Sequence, residues 1–145
     1  MQIDIIKLTE NTKVPTYGTP GSAGFDFYST EYGQVTYGSP VVFGTGIVMS
    51  IPENHALLVF SRSGHGFKDN VRLSNSVGVI DSDYRGEVKV KLAMDFPSWQ
   101  STLEVKPGDR IAQGIIIPVT QVTFNVVSEL SKTLRGEGGL GSTGI

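Results

Sequence analysis

Cysteine is absent from this 145-residue chain. That excludes disulfides, thiolate metal sites and a cysteine nucleophile. Long apolar runs are lacking too: no stretch approaches the ~18 apolar residues that read as a membrane span. Met1 to Thr9 mix acid and base among apolar positions, unlike a signal peptide. The expectation is a soluble, cytoplasmic protein with no membrane partner, cellular or made by a virus in an infected host cell. An excess of base is missing as well. The net charge of −2 gives a nucleic-acid partner no global electrostatic support, and none is expected. Histidine is scarce, and two isolated residues, His55 and His65, do not make a metal site. Helical patterning is almost absent. Ser63 to Asn70 could hold one turn, but Gly64 and Gly66 weigh against it.

What the chain has is glycine, 18 of 145 residues, well above the usual share of about 7%. With seven prolines this points to many turns, or to loops whose backbone approaches a ligand closely. The length suggests one domain. Short β-branched or alternating runs lie between the turns: Val41–Phe43, Gly46–Ile51, Ala56–Phe60, Val77–Ile80, Glu87–Leu92, Ile111–Val119 and Gln121–Val127. Such spacing predicts an all-β sandwich or barrel. In Glu87–Leu92 charge takes every other position, so one face is wet and the other packed. Ile115–Ile117 is apolar on both faces and predicts burial between layers or under another chain.

Four of the five arginines, Arg62, Arg85, Arg110 and Arg135, lie within two residues of a glycine. Guanidinium groups in such loops are either solvated or grip an anionic small molecule. Five segments carry possible chemistry. In Ser22–Phe27, Asp26 is a solvated turn residue or orients a cation or an arginine. In Phe60–Gly64, two hydroxyls and Arg62 end an apolar strand, forming a polar turn or a phosphate grip. In Asn75–Glu87 an apolar strand runs into a turn and back into an alternating strand, which predicts a β-hairpin. There Asp81 is a candidate general base and Tyr84 could pack on a sugar or base. In Pro107–Gly114, Asp109 and Arg110 could pair with each other, while Gln113 inside an apolar run predicts a buried or ligand-directed hydrogen bond. The tail, Arg135 to Ile145, is glycine-rich, with Ser142 and Thr143. It is either a disordered end or a segment that orders on phosphate.

These segments, in this order, resemble the five motifs of the trimeric dUTPase family: Ala23-Gly24-Phe25-Asp26, Arg62-Ser63-Gly64, Gly78-Val79-Ile80-Asp81-Ser82-Asp83-Tyr84-Arg85-Gly86, Gly108-Asp109-Arg110-Ile111-Ala112-Gln113, and Arg135-Gly136 with Gly138 to Gly144. The resemblance spans residues 23 to 144. It implies a distorted, jelly-roll-like β barrel (a β-clip) over 1–134 and an arm over 135–145 that closes a neighbouring subunit's site in a homotrimer. It implies hydrolysis of dUTP to dUMP and pyrophosphate with Mg²⁺, Asp81 activating a water for attack on the α-phosphorus. It places the uracil along Gly78, Val79 and Ile80, in a pocket shaped by Asn75, with Tyr84 on the deoxyribose. Arg62, Ser63, Gly64 and Gln113 would hold the α- and β-phosphates; Arg135, Gly141, Ser142 and Thr143 the γ-phosphate. Asp83 and Arg110 would support this network, and Asp26 would meet the metal through water. The family's usual aromatic over the uracil is replaced by Leu140, which implies weaker binding with the chemistry retained. His65 stands where the family often has an apolar residue; it either lies near the phosphates or, the reading preferred here, is a bystander. Asp95 to Thr102 reads as a surface insertion. The alternatives are a dCTP deaminase or bifunctional deaminase–pyrophosphatase, and a nucleotide-dependent regulatory binding module.

Overall fold

The computed structural model describes residues 1–96 and 102–139. The alternation in the sequence decides which side of each strand is packed. In Glu87–Met94, residues Val88, Val90, Leu92 and Met94 are buried while Lys89 and Lys91 face solvent. Phe25–Tyr28 does the same in the opposite layer: Phe25 and Phe27 point inward, leaving Asp26 and Tyr28 outside the core. Burying one such face in each of two sheets yields the all-β fold that the strand pattern predicts, jelly-roll-like as the resemblance implies.

Among the described residues there are eleven strands and one helix, in the order β1 (Asp4–Lys7), β2 (Thr16–Tyr17), β3 (Phe25–Tyr28), β4 (Gly33–Thr36), β5 (Val41–Ser50), β6 (His55–Phe60), α1 (Ser63–Asp69), β7 (Val71–Leu73), β8 (Val77–Ile80), β9 (Glu87–Met94), β10 (Thr102–Val105) and β11 (Arg110–Pro118). One sheet has the order β1-β5-β9-β7, the other β2-β3-β11-β6-β8, and β10 pairs with β4 in a two-stranded ribbon. All named pairings are antiparallel. The core takes Phe43, Ile47, Val90 and Leu92 from the first sheet, Phe27, Leu57 and Ile111 from the second, and Val35 and Val105 from the ribbon. On the ribbon's surface, Tyr32 donates to Glu104 at 2.8 Å. This bond, aided by Lys106, holds the Glu104 carboxyl below its usual range.

Four sequence expectations change. The segment 77–92 is not a hairpin: β8 pairs with β6, whereas β9 pairs with β5 and β7 in the other sheet. A corner joins them instead, closed by Tyr84 N–H donating to the Asp81 carbonyl and by the Arg85 guanidinium donating to the carbonyls of Ser82 and Tyr84. Residues 121–127 form no strand. Val122, Phe124 and Val126 alternate as a strand would, but are 65%, 92% and 96% exposed, and pair with no strand among the described residues. The helix disfavoured by Gly64 and Gly66 does form, ending at Asn70 in the left-handed conformation (φ 54°). Ile115, Ile116 and Ile117 are each half-buried rather than sealed between layers. No helix among the described residues is long and apolar enough to cross a membrane.

Candidate active site

The pairing registers bring distant segments onto one line. Asp26 of β3 lies opposite Gln113 of β11, Gln113 opposite Phe60 of β6, and Phe60 opposite Val77 of β8. Because β11 lies between β3 and β6, the first, fourth and second motifs become neighbours although the chain visits them in another order. Gly24 permits this closeness, since a Cβ there would stand 3.2 Å from the Gly114 carbonyl oxygen and 3.3 Å from Gln113 Oε1.

Side chains then tie the row together. Asp26 accepts from Arg62 Nε on one carboxylate oxygen at 3.0 Å and pairs with Arg110 Nη1 on the other at 3.3 Å. Arg110 therefore does not pair with Asp109, whose carboxylate instead accepts the Lys106 backbone N–H at 2.8 Å. Gln113 Nε2 donates to the Ser61 carbonyl at 2.9 Å, the hydrogen bond its place in an apolar run required. Two adjoining hollows open here. One, of ≈ 690 Å³, is lined by Ser22, Gly24, Asp26, Phe60, Ser61, Ser76 and Gln113 among others. The other, of ≈ 330 Å³, is lined by Ser61, Arg62, Ser63, Gly66, Phe67 and Gln113. The Arg62 guanidinium, exposed Ser63 and the anchored Gln113 amide thus border a concavity able to meet phosphate oxygens, with Arg110 joined to it through Asp26.

The remaining expected residues are elsewhere. Asp81 follows Ile80, whose partner Leu57 lies near the other end of β6. It lies four positions beyond Val77, about 13 Å at ~3.3 Å per residue. It lines a separate cleft of ≈ 520 Å³ with Asn54, His55, Val79, Ser82, Asp83 and Thr120. Tyr84 is 44% exposed, and its hydroxyl donates to the Glu87 carbonyl at 3.1 Å. Gly86 is required for that pose, because a Cβ there would collide with the Tyr84 ring. Val79 is 63% exposed on the edge strand β8, whose outer backbone groups have no partner strand among the described residues. At its start, Asn75 is exposed and its carbonyl accepts the Val77 N–H at 2.7 Å, while Ser76 takes a φ of 62°. Arg135 donates to the Gly138 carbonyl within its own turn. Leu140, Gly141, Ser142 and Thr143, together with 97–101 of the insertion, lie outside the described residues.

One further residue is tied to this row. His65, expected to be a bystander, places Nε2 at 2.9 Å from the Arg110 carbonyl oxygen. Ser61 also matters more through its backbone than expected, and its hydroxyl accepts the Leu73 N–H at 2.9 Å. Neither has a sequence signal beyond adjacency to Arg62. No group of three or more His, Asp or Glu residues that could hold a metal occurs among the described residues.

The dUTPase family model matches residues 10–144. The deoxyuridine 5'-triphosphate nucleotidohydrolase of Nautilia profundicola is 41% identical over 144 residues, covering 99% of this chain and 99% of that one. Its namesake from Helicobacter hepaticus is 39% identical over 145 residues, covering 100% and 90%. Among solved structures, the Staphylococcus bacteriophage 80alpha dUTPase with dUPNHPP superposes with a TM-score of 0.90 at 25% identity, covering 99% of each chain. A mutant dUTPase from phage phi11 of S. aureus, described with a structural Mg(II) ion, superposes with a TM-score of 0.82 at 23% identity, covering 91% and 100%.

Proposed function

The chain belongs to the dUTPase family, and on that premise we propose that it is a dUTP diphosphatase that cleaves dUTP to dUMP and pyrophosphate at a site shared between chains of a homotrimer. The observation that carries this reading is the separation of the two halves of the site. Arg62, Ser63, Gly64 and Gln113 cluster around the Asp26 row and would grip the α- and β-phosphates. Asp81 would act as the base for water attacking the α-phosphorus, so it must stand within one water of that atom. On one chain it stands about 13 Å along the sheet from the row. A second chain, contributing its Asp81 corner to the first chain's phosphate grip, removes that gap. The two-sided apolar strand at Ile115–Ile117, left half-buried, is suited to the same contact.

The edge position of β8 supports the base-binding role. Backbone groups along Gly78, Val79 and Ile80 that no neighbouring strand uses can pair with the uracil edge, with Asn75 at the start of the strand and Tyr84 beyond its end against the deoxyribose. A ligand carrying an added methyl or hydroxyl is then rejected by clash or by an unpaired polar group. Asp83, exposed at the same corner, would support Asp81 rather than touch substrate. Arg135, Gly141, Ser142 and Thr143 of the 135–145 arm would hold the γ-phosphate, and Leu140 would cover the base.

The donor set fits Mg²⁺ carried in by the triphosphate rather than caged by protein. Asp26 is the one carboxylate in the row and both its oxygens already serve arginines, so it would reach the metal through water, as Mg²⁺ commonly allows. Bound there, the ion would neutralise charge on the leaving pyrophosphate. The protein's own share is positioning and charge stabilisation.

Pyrophosphate release with Mg²⁺ should be confined to dUTP when dCTP, dTTP and UTP are compared. Asp81→Asn should lower kcat by about 10²–10⁴-fold. Ammonia release from dCTP would transfer the assignment to a deaminase. Hydrolysis unaffected by Asp81→Asn would remove Asp81 from the chemistry.

A further inference from the structure

The helix α1 carries the phosphate grip at its start yet has little to hold it in place. None of its residues is buried, and its first residue receives no side-chain cap. What fixes it are polar ties to β11 and β7. One is Gln113 Nε2 to the Ser61 carbonyl, just before the helix. Another is the Ser61 hydroxyl accepting the Leu73 N–H. The tie made from within the helix to β11 is His65 Nε2 to the Arg110 carbonyl oxygen, at 2.9 Å.

That carbonyl lies at the register shift of β11, where Ile111 is the extra residue between Arg110 and Ala112. Bulges re-aim the groups beside them. Here the Arg110 carbonyl meets His65 and, more distantly at 3.5 Å, Arg62 Nη1. A carbonyl oxygen only accepts, so Nε2 carries the hydrogen. The other ring nitrogen, Nδ1, faces Asp69 one helical turn on at 3.5 Å. Among the described residues the ring's one hydrogen bond is therefore the one to the Arg110 carbonyl, and its side chain is only 16% exposed.

We propose that His65 is a positioning residue for the phosphate grip: its hydrogen bond to the Arg110 carbonyl locks Arg62, Ser63 and Gly64 in register with Arg110 and Gln113 of β11. The inference rests on the dUTP diphosphatase reading. It does not require His65 to touch the substrate.

Steady-state kinetics on full-length His65→Leu and His65→Gln, beside the wild type, test it with dUTP and Mg²⁺. Leucine fills similar space without a donor, whereas the glutamine amide can place an N–H where Nε2 stands. His65→Leu should raise KM about fivefold with kcat within about twofold, the loss expected for one hydrogen bond. His65→Gln should restore KM to within about twofold of the wild type. Unchanged kinetics in His65→Leu would overturn the inference. So would a fall in kcat at constant KM, the signature of a smaller folded fraction, or a glutamine variant as impaired as the leucine one. A wild type inactive on dUTP would instead defeat the functional reading itself, which separates the two failures.

Discussion

Asp26 balances two cations with one carboxylate, one oxygen for Arg62 and one for Arg110. Its side chain is 15% exposed, so water screens these pairs only in part. Asp26→Asn keeps the shape and removes the charge, leaving two guanidinium groups side by side without a counter-ion. Loss of a charged hydrogen bond is worth roughly 1.5–3 kcal/mol, so Tm should fall by several degrees, and KM for dUTP should rise about tenfold as Arg62 and Arg110 lose their shared anchor. Steady-state kinetics paired with thermal unfolding check both halves. The motif residues were legible because each sits in a short, chemically distinctive stretch. Their grouping was not, because Asp26 and Arg62 meet only through the registers of strands between them. His65 stayed hidden for the same reason: its partner is a backbone carbonyl, which every residue has and no sequence pattern marks.

At the level of strands, alternation was readable where it ran long, as in β9, and failed where elements are brief. The two residues of β2 and three of β7 owe their conformation to the strands they pair with. The false hairpin at 77–92 has a physical origin. An apolar run, a polar turn and a second run describe a hairpin and an inter-sheet corner equally well, and only the partners β6 and β5 decide. The bulge in β5 yields a sharper forecast. Gly46 has a φ of 68°, and a Cβ there would collide with the Thr12 hydroxyl and stand 2.9 Å from Thr30 Cγ2. Its N–H also donates to Glu87 Oε1 at 2.8 Å, joining β5 to the start of β9. Gly46→Ala should lower stability by about 2–4 kcal/mol through the left-handed backbone and the overpacking. Denaturant melts monitored by circular dichroism would register the loss.

For the molecule as a whole, the proposed division of the site between chains is tested by a complementation experiment. Asp81→Asn and Arg62→Ala chains should each be inactive alone. Unfolded together at equal ratio and refolded, they should recover up to about a quarter of wild-type activity, because random assembly pairs an intact Asp81 with an intact Arg62 in that share of sites. A site contained within one chain recovers none. Removing the arm after Leu134 should leave the melting profile nearly unchanged and depress dUTP turnover, since Arg135 bonds only within its own turn among the described residues. The placement of β11 also bears on how the protein is made. This strand, ending at Pro118, is inserted between β3 and β6, so nothing joins those two until three-quarters of the polypeptide has left the ribosome. Until then a nascent chain displays two unpaired edges rich in phenylalanine and leucine, the kind of surface that invites association with other chains. Such late, long-range closure makes folding slow relative to helical proteins of similar size, so the time those edges stay bare is written into the strand order of the sheet that holds Asp26 and Gln113.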